Sequence, residues 1–306
     1  MSQSAQRLLD ACVFPPKGTV VALAVSGGPD SLGLLLLAQA AELVTTVHHV
    51  DHHARSTSGD DAEFVRALCA RLDVPCVVHD VVVEPGGNFE ARARAERRRV
   101  LPPGSLTGHT MDDLAETVLL NMLRGAGVDG LSPMVRDPTK PLRALRRQEL
   151  HDFVYDQGIT PVHDETNDDP AYRRNRVRHE LIPLMNAVAE RDVVPLLARQ
   201  AEVLFEDRAW LDLIGVNDAA LAVDEVDCRE LSGWPRARLR RWLRVKLFTL
   251  DEQNERHPPS AAEVDRALRV VTGDAVATEL SGGRRLSRRG QRLNLEGGST
   301  TLTNHG

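Results

Sequence analysis

Three stretches of the chain concentrate side chains capable of chemistry. The first, Leu23 to Leu32 (LAVSGGPDSL), breaks an apolar run with two glycines, a proline, an aspartate and two serines. Gly27 and Gly28 let backbone N–H groups approach an anion with no Cβ in the way, while Ser26 and Ser31 add hydroxyls. The helix that follows, over 32–43, would add its positive N-terminus. The combination suits a pyrophosphate cradle, and a plain strand-to-helix turn would read the same way. It is not a Walker loop, because no Gly-Lys-Ser/Thr occurs in it.

The second stretch runs from Gly108 to Gly125 (GHTMDDLAETVLLNMLRG) and sets His109, Asp112, Asp113 and Glu116 at i, i+3, i+4 and i+7. That spacing puts them on one face of a helix whose apolar side is Met111, Leu114, Val118, Leu119 and Met122. Clustered carboxylates repel unless a cation sits among them, so the face suits a cation or an amine. Asp112 and Asp113 alone would be an ordinary acidic first turn. The third stretch joins Asp164, Asn167 and Asp168 to Arg173, Arg174, Arg176 and Arg178. Arginine forks of this kind suit phosphate or carboxylate partners, and a solvated charged helix start is the ordinary alternative. His48, His49, His52 and His53 have no nearby cysteine or matched carboxylate spacing, so they rim a pocket better than they build a zinc site.

The elements that must position these groups are legible as alternation. Apolar runs at Val20–Val25, Val44–Val50 and 76–83, with a short one at Ser105–His109, read as strands. Between them lie helical patterns at 32–43, 58–72 and 88–101. Repeated strand–helix alternation predicts a doubly wound α/β domain with a parallel sheet, whose ligands bind beyond the carboxyl ends of the strands. The polar loops SGGPDS, HHVDHHAR and GHTMDD follow the first, second and fourth of these strands, where such a site belongs. Farther on, helical spacing predominates and the tail suits a hairpin. The expected organisation is a catalytic domain over 1–185, a linker helix over 186–215 and a smaller, mostly helical, basic domain over 216–306.

The 306 residues, 42% hydrophobic, can supply two cores. No stretch resembles a secretory leader or a membrane span, which makes a cytoplasmic protein with no membrane partner the expectation. Four scattered cysteines, without a Cys-x-x-Cys pair, argue against zinc ribbons, cluster ligation and disulfides. The net charge of −6 hides a basic segment: Arg229–Arg292 holds fifteen Lys/Arg against eight Asp/Glu. Such a segment can face nucleic-acid phosphates.

Together the motifs resemble the PP-loop ATP pyrophosphatases, and within them the tRNA(Ile)-lysidine synthetase family, over roughly residues 18 to 190. Ser26, Gly27, Gly28, Asp30 and Ser31 match the first family motif, with Pro29 at its variable position. His49, Val50, His52 and Arg55 match His-Val-x-His-x-x-Arg, with Ala54 in place of leucine. Gly108, His109, Asp112, Asp113, Ala115, Glu116 and Thr117 match Gly-His-His-x-Asp-Asp-Gln-Ala-Glu-Thr, with Thr110 and Leu114 departing from it. Asn121–Gly127, and Asp164, Asn167, Tyr172, Arg174, Asn175 and Arg178, complete the series.

The resemblance implies ATP-dependent ligation of L-lysine to C2 of the wobble cytidine in a CAU-anticodon tRNA(Ile). It implies ATP contacts from Ser26 to Ser31, His49, Arg55 and His109, and a lysine site at Asp113 and Glu116. Asp30, Asp113, Glu116, Arg174 and Arg178 would form the catalytic set, with Mg²⁺ on Asp30 and Asp112. Arg240, Arg241, Arg284, Arg285, Arg288 and Arg289 would contact the tRNA backbone, and a homodimer is one state open to the chain. Two alternatives stand beside this reading: another PP-loop tRNA-modifying enzyme, such as a thiolase, and an RNA-binding protein with a relict nucleotide pocket.

Overall fold

The computed structural model describes residues 3–51, 58–81, 89–162, 168–216, 227–250, 256–257 and 259–297. The chain forms two compact units, Met1–Gly125 with Asp129–Leu204 and Ala126–Val128 with Phe205–Gly306. It passes from one to the other within the long helix Val194–Val216. No described helix is long and apolar enough to cross a membrane.

The first unit is built on four parallel strands, β1 (Val20–Ala24), β2 (Val44–Asp51), β3 (Cys76–Asp80) and β4 (Leu106–Thr107). Their spatial order is β3-β2-β1-β4. Leu23 of β1 sits beside Val47 of β2 and Leu106 of β4, all buried, which is what the apolar runs require. Helices Pro29–Ala40 and Ser58–Arg71 carry the chain between the first three strands, and Phe89–Val100 returns it to the far side of β1. The chain therefore leaves β1 toward β2 but comes back at β4, so the reversal of strand order falls between β1 and β4. In open parallel sheets that crevice is where ligands bind.

Helix Pro29–Ala40 is apolar nearly all round, and Leu32, Leu34, Leu35, Leu37 and Ala38 are fully buried. Such a helix needs cover on every side. The sheet covers one side, and helix Arg147–Asp156, through Leu150, Phe153 and Val154, shares the same core.

The second unit packs helices Cys228–Ser232, Arg236–Lys246 and Ala261–Thr272 with an antiparallel sheet of strands Ala277–Leu280, Arg284–Arg289 and Arg292–Glu296. Leu239, Trp242, Leu243 and Leu247 form the helical core stripe that their spacing predicts, joined by Val264, Leu268, Val271, Leu280 and Leu286. The expected hairpin is two of the three strands, turning at Gly290 (φ +62°). A third strand, Ala277–Leu280, pairs with this hairpin, and among the described residues helices still make up more of the unit than strands do.

Candidate active site

The loop after β1 closes on itself before it meets any ligand. The Ser26 N–H donates to Ser31 Oγ at 3.1 Å, and the Ser31 hydroxyl donates to Gly28 O at 2.8 Å. Gly27 has φ +91°, and a Cβ there would press on Val162 Cγ2 at 3.2 Å. The Val162 N–H donates to Gly27 O at 3.0 Å, fixing the turn from behind. Gly28 and Pro29 open helix Pro29–Ala40, with Asp30 in its first turn. Gly108, after β4, lies so close that a Cβ would stand 2.6 Å from Asp30 O. Both sides of the crevice therefore meet at the loop. His49 is buried beside it, and its Nδ1 donates to Val25 O at 2.9 Å, which leaves Nε2 as the acceptor.

The acidic helix runs from Met111 to Leu123 and is capped by Thr110. The Thr110 backbone N–H and hydroxyl donate to Asp113 Oδ2 at 2.8 and 2.9 Å, so the residue that departs from the family motif has a definite structural job. The face predicted to attract a cation does hold cations, and they are the protein's own arginines. Arg147 donates to Asp113 Oδ1 and to Glu116 Oε1, each at 2.9 Å. Arg174 donates to Glu116 Oε2 at 2.7 Å and to Asp113 Oδ1 at 2.9 Å. Arg178 spans both Glu116 oxygens at 2.7 and 3.2 Å. Glu116 is fully buried.

Burial pushes both carboxyls up, but the guanidiniums prevail: Asp113 is brought down to about 2 and Glu116 is lowered. His109 is lowered as well, to about 4, but there burial is the cause. At neutral pH it is an uncharged imidazole, 2.8 Å from Thr107 Oγ1 through Nδ1.

Arg174 and Arg178 reach Glu116 together from an irregular helix. Regular turns at Arg173–Arg176 give way to a π-turn at Val177–Leu181 before helix Ile182–Ala189. Pro183, near the start of that last helix, has no N–H to offer the preceding turn, which accounts for the widened spacing. Arg176 points elsewhere, pairing with Glu180 on the outside.

Arg147 and His151 were not among the predicted site residues, yet both reach Asp30. Arg147 Nε donates to Asp30 Oδ2 at 3.3 Å, and His151 Nε2 lies 3.1 Å from Asp30 Oδ1. They stand one turn apart on helix Arg147–Asp156, with Leu150 between them. Leu150 fills the space over Gly33, where a Cβ would be 2.4 Å from it. One helix contact therefore delivers both side chains to the loop. The sequence carries a signal for this: Arg146 and Arg147 open a helix, where positive charge opposes the dipole. A local conflict of that kind points to a site.

Asp112 belongs to a different contact. Arg146 spans both of its oxygens at 3.1 Å, and the Arg147 N–H donates to one of them at 2.8 Å. That pairing engages both oxygens of Asp112 and leaves its side chain 16% exposed. Asp30 is also engaged, by Arg147 and His151, but with its side chain 28% exposed it is the more open of the two to a Mg²⁺ ion arriving on phosphates. No group of three or more His, Cys, Asp or Glu converges as a metal site among the described residues. Arg55, His52, His53, Asp164 and Asn167 lie outside the described residues.

The six arginines expected to meet RNA divide. Arg284 is buried and donates to Leu247 O, Phe248 O and Ser281 O, so it is a core staple and not a surface contact. Arg240 pairs with Asp265 and Arg241 with Asp212, while Arg288 is tied to Val271 O and Gln291. Arg285 and Arg289 are exposed and only loosely paired, at 3.6 Å to Glu279 and 3.4 Å to Glu296.

Residues 1–185 match the PP-loop domain family. The tRNA(Ile)-lysidine synthase of Thermobifida fusca is 36% identical over 75% of this chain and 76% of its own length. That of Nocardia farcinica is 34% identical over 88% and 85%. That of Rhodococcus erythropolis is 37% identical over 88% and 83%. Among solved structures, the U34-tRNA thiolase NcsA from Methanococcus maripaludis shares the fold, with a TM-score of 0.54 at 15% identity over 67% of this chain and 78% of that one. With a PP-loop domain over its first 185 residues and relatives of this identity along most of its length, the chain belongs to the tRNA(Ile)-lysidine synthase family.

Proposed function

We propose that the chain ligates L-lysine to C2 of the wobble cytidine in a CAU-anticodon tRNA(Ile), at the expense of ATP. In the first step cytidine O2 attacks the α-phosphate, forming an adenylated cytidine and expelling pyrophosphate. In the second, the lysine ε-amine attacks C2, AMP leaves, and the amine loses a proton. The observation that carries this reading is that the β1 loop and the acidic pair meet through Arg147, which brings a phosphate cradle and an amine-binding face into one crevice.

The first step needs a home for charge on the departing pyrophosphate. Loop N–H groups from Ser26 to Ser31 and the N-terminus of helix Pro29–Ala40 offer it. Mg²⁺ carried by ATP, with Asp30 as its protein ligand, would supply further charge neutralisation. The second step needs the lysine held and then deprotonated, since only the free amine is a nucleophile. Asp113 and Glu116, both lowered, are weak bases, so they hold an ammonium by charge and do not take its proton. Arg174 and Arg178, which hold Glu116, would also meet the lysine carboxylate or a phosphate. Sulfur chemistry is a poorer fit, because burial pushes the Cys12 and Cys69 thiols to about 12 and raises those of Cys76 and Cys228.

The test is incubation of the chain with ATP, radiolabelled lysine and CAU-anticodon tRNA(Ile), with methionine tRNA as control. Label is expected on the isoleucine tRNA alone. Label on neither RNA would sink the assignment.

A further inference from the structure

Within the crevice, three guanidiniums face three carboxylates. Arg147, Arg174 and Arg178 occupy Asp113 and Glu116, and Arg147 also reaches Asp30. Both Glu116 oxygens are taken by arginines, while Asp113 gives Oδ1 to arginines and Oδ2 to Thr110. An incoming ammonium therefore finds no free acceptor at the pair. It also meets three positive charges as near as the two negative ones.

We propose that Arg147 is a positioning residue that links the phosphate loop to the acidic pair, so that lysine binds well only after the nucleotide. This rests on the lysine-ligating reading above. Arg147 is the one described side chain that contacts both Asp30 and the Asp113–Glu116 pair. A triphosphate in the loop brings negative charge to the Asp30 end of that guanidinium. The anion competes with Asp113 and Glu116 for its N–H groups, and the oxygens it gives up can accept an ammonium. The same negative charge offsets the repulsion from Arg174 and Arg178. The coupling is positive in sign and acts equally in both directions. Without nucleotide, the site resists occupation by lysine or other free amines.

The experiment is calorimetric titration of L-lysine into the full chain, with and without α,β-methylene-ATP and Mg²⁺. It is run on the wild type, Arg147→Gln and Arg147→Lys, each first shown to unfold cooperatively. For the wild type the analogue is expected to tighten lysine about tenfold, and lysine to tighten the analogue by the same factor. In Arg147→Gln the factor should fall to within about twofold, with lysine binding the nucleotide-free protein more tightly than the wild type does. Arg147→Lys keeps the charge but not the three-way fork, so its factor should lie between. A wild-type factor retained in Arg147→Gln, or equal lysine affinity in the wild type with and without analogue, overturns the coupling and leaves the enzyme assignment standing. A wild type that binds the analogue but no lysine in either condition overturns both.

Discussion

At the scale of the residue, Glu116 decides most. It is fully buried and accepts four charge-assisted hydrogen bonds from three arginines. Glu116→Gln keeps the shape but removes the fully buried charge of the cluster, leaving Arg147 and Arg174 to share Asp113 and Arg178 with only a 4.0 Å approach to it, which should cost about 3 kcal/mol in urea unfolding. Asp113 carries a pH signature. Its carboxyl is held at about 2, below its unfolded value of roughly 3.9. The stabilisation is therefore present above about pH 4 and is lost as pH falls through the folded value near 2, amounting to about 2 kcal/mol. Asp113→Asn should flatten the stability curve over that window; equal slopes in variant and wild type would rule the linkage out. Asp113 and Glu116 were legible because helical spacing puts them on one face, and Arg174 and Arg178 because they fall in a short arginine run that resembles a family motif. Arg147 and His151 were not, because no spacing within a helix tells which distant loop its first turn will touch.

At the scale of the element, the site depends on how closely helices Pro29–Ala40 and Arg147–Asp156 approach. Gly33 leaves a hollow that Leu150 fills, and Leu150 lies between Arg147 and His151 on their helix. Gly33→Ala should force the helices apart, destabilising the unit by about 1–3 kcal/mol and weakening ATP-analogue binding. Leu150→Ala empties the hollow, so Gly33→Ala should cost clearly less in that background. A double-mutant cycle measures this directly, and strict additivity would show that the contact is not shared. The strands were readable because each is a short apolar run ending in polar loop residues. Strand Arg284–Arg289 was legible as part of a hairpin, but the burial of its first residue was not: Arg284 points into the core on carbonyl acceptors, against the rule that arginine marks the surface. The π-turn at Val177–Leu181 was also unread, although Pro183 marks the place where regular hydrogen bonding must fail.

At the scale of the whole molecule, the proposed function asks an acidic chain to bind a polyanion, and net charge says little about how. The basic excess in Arg229–Arg292 is real, but much of it is committed inside the second unit, since Arg240, Arg241, Arg284 and Arg288 each hold partners there. What counts for RNA is the charge still facing solvent, and among the six arginines expected to meet it Arg285 and Arg289 face solvent most, with side chains 56% and 78% exposed. The two kinds of arginine should fail differently. Arg284→Ala strips buried carbonyls of a charged donor and should lower stability by about 2 kcal/mol, with tRNA affinity of the folded fraction nearly unchanged. The double variant Arg285→Ala/Arg289→Ala should keep its thermal midpoint. It should lose tRNA affinity, and its log Kd against log salt slope should shrink by about two, one for each phosphate contact removed. Filter binding over a salt series separates the cases. An unchanged slope in the double variant would move the RNA interface away from this strand, while a changed slope in Arg284→Ala would mean that its guanidinium leaves the core when tRNA binds.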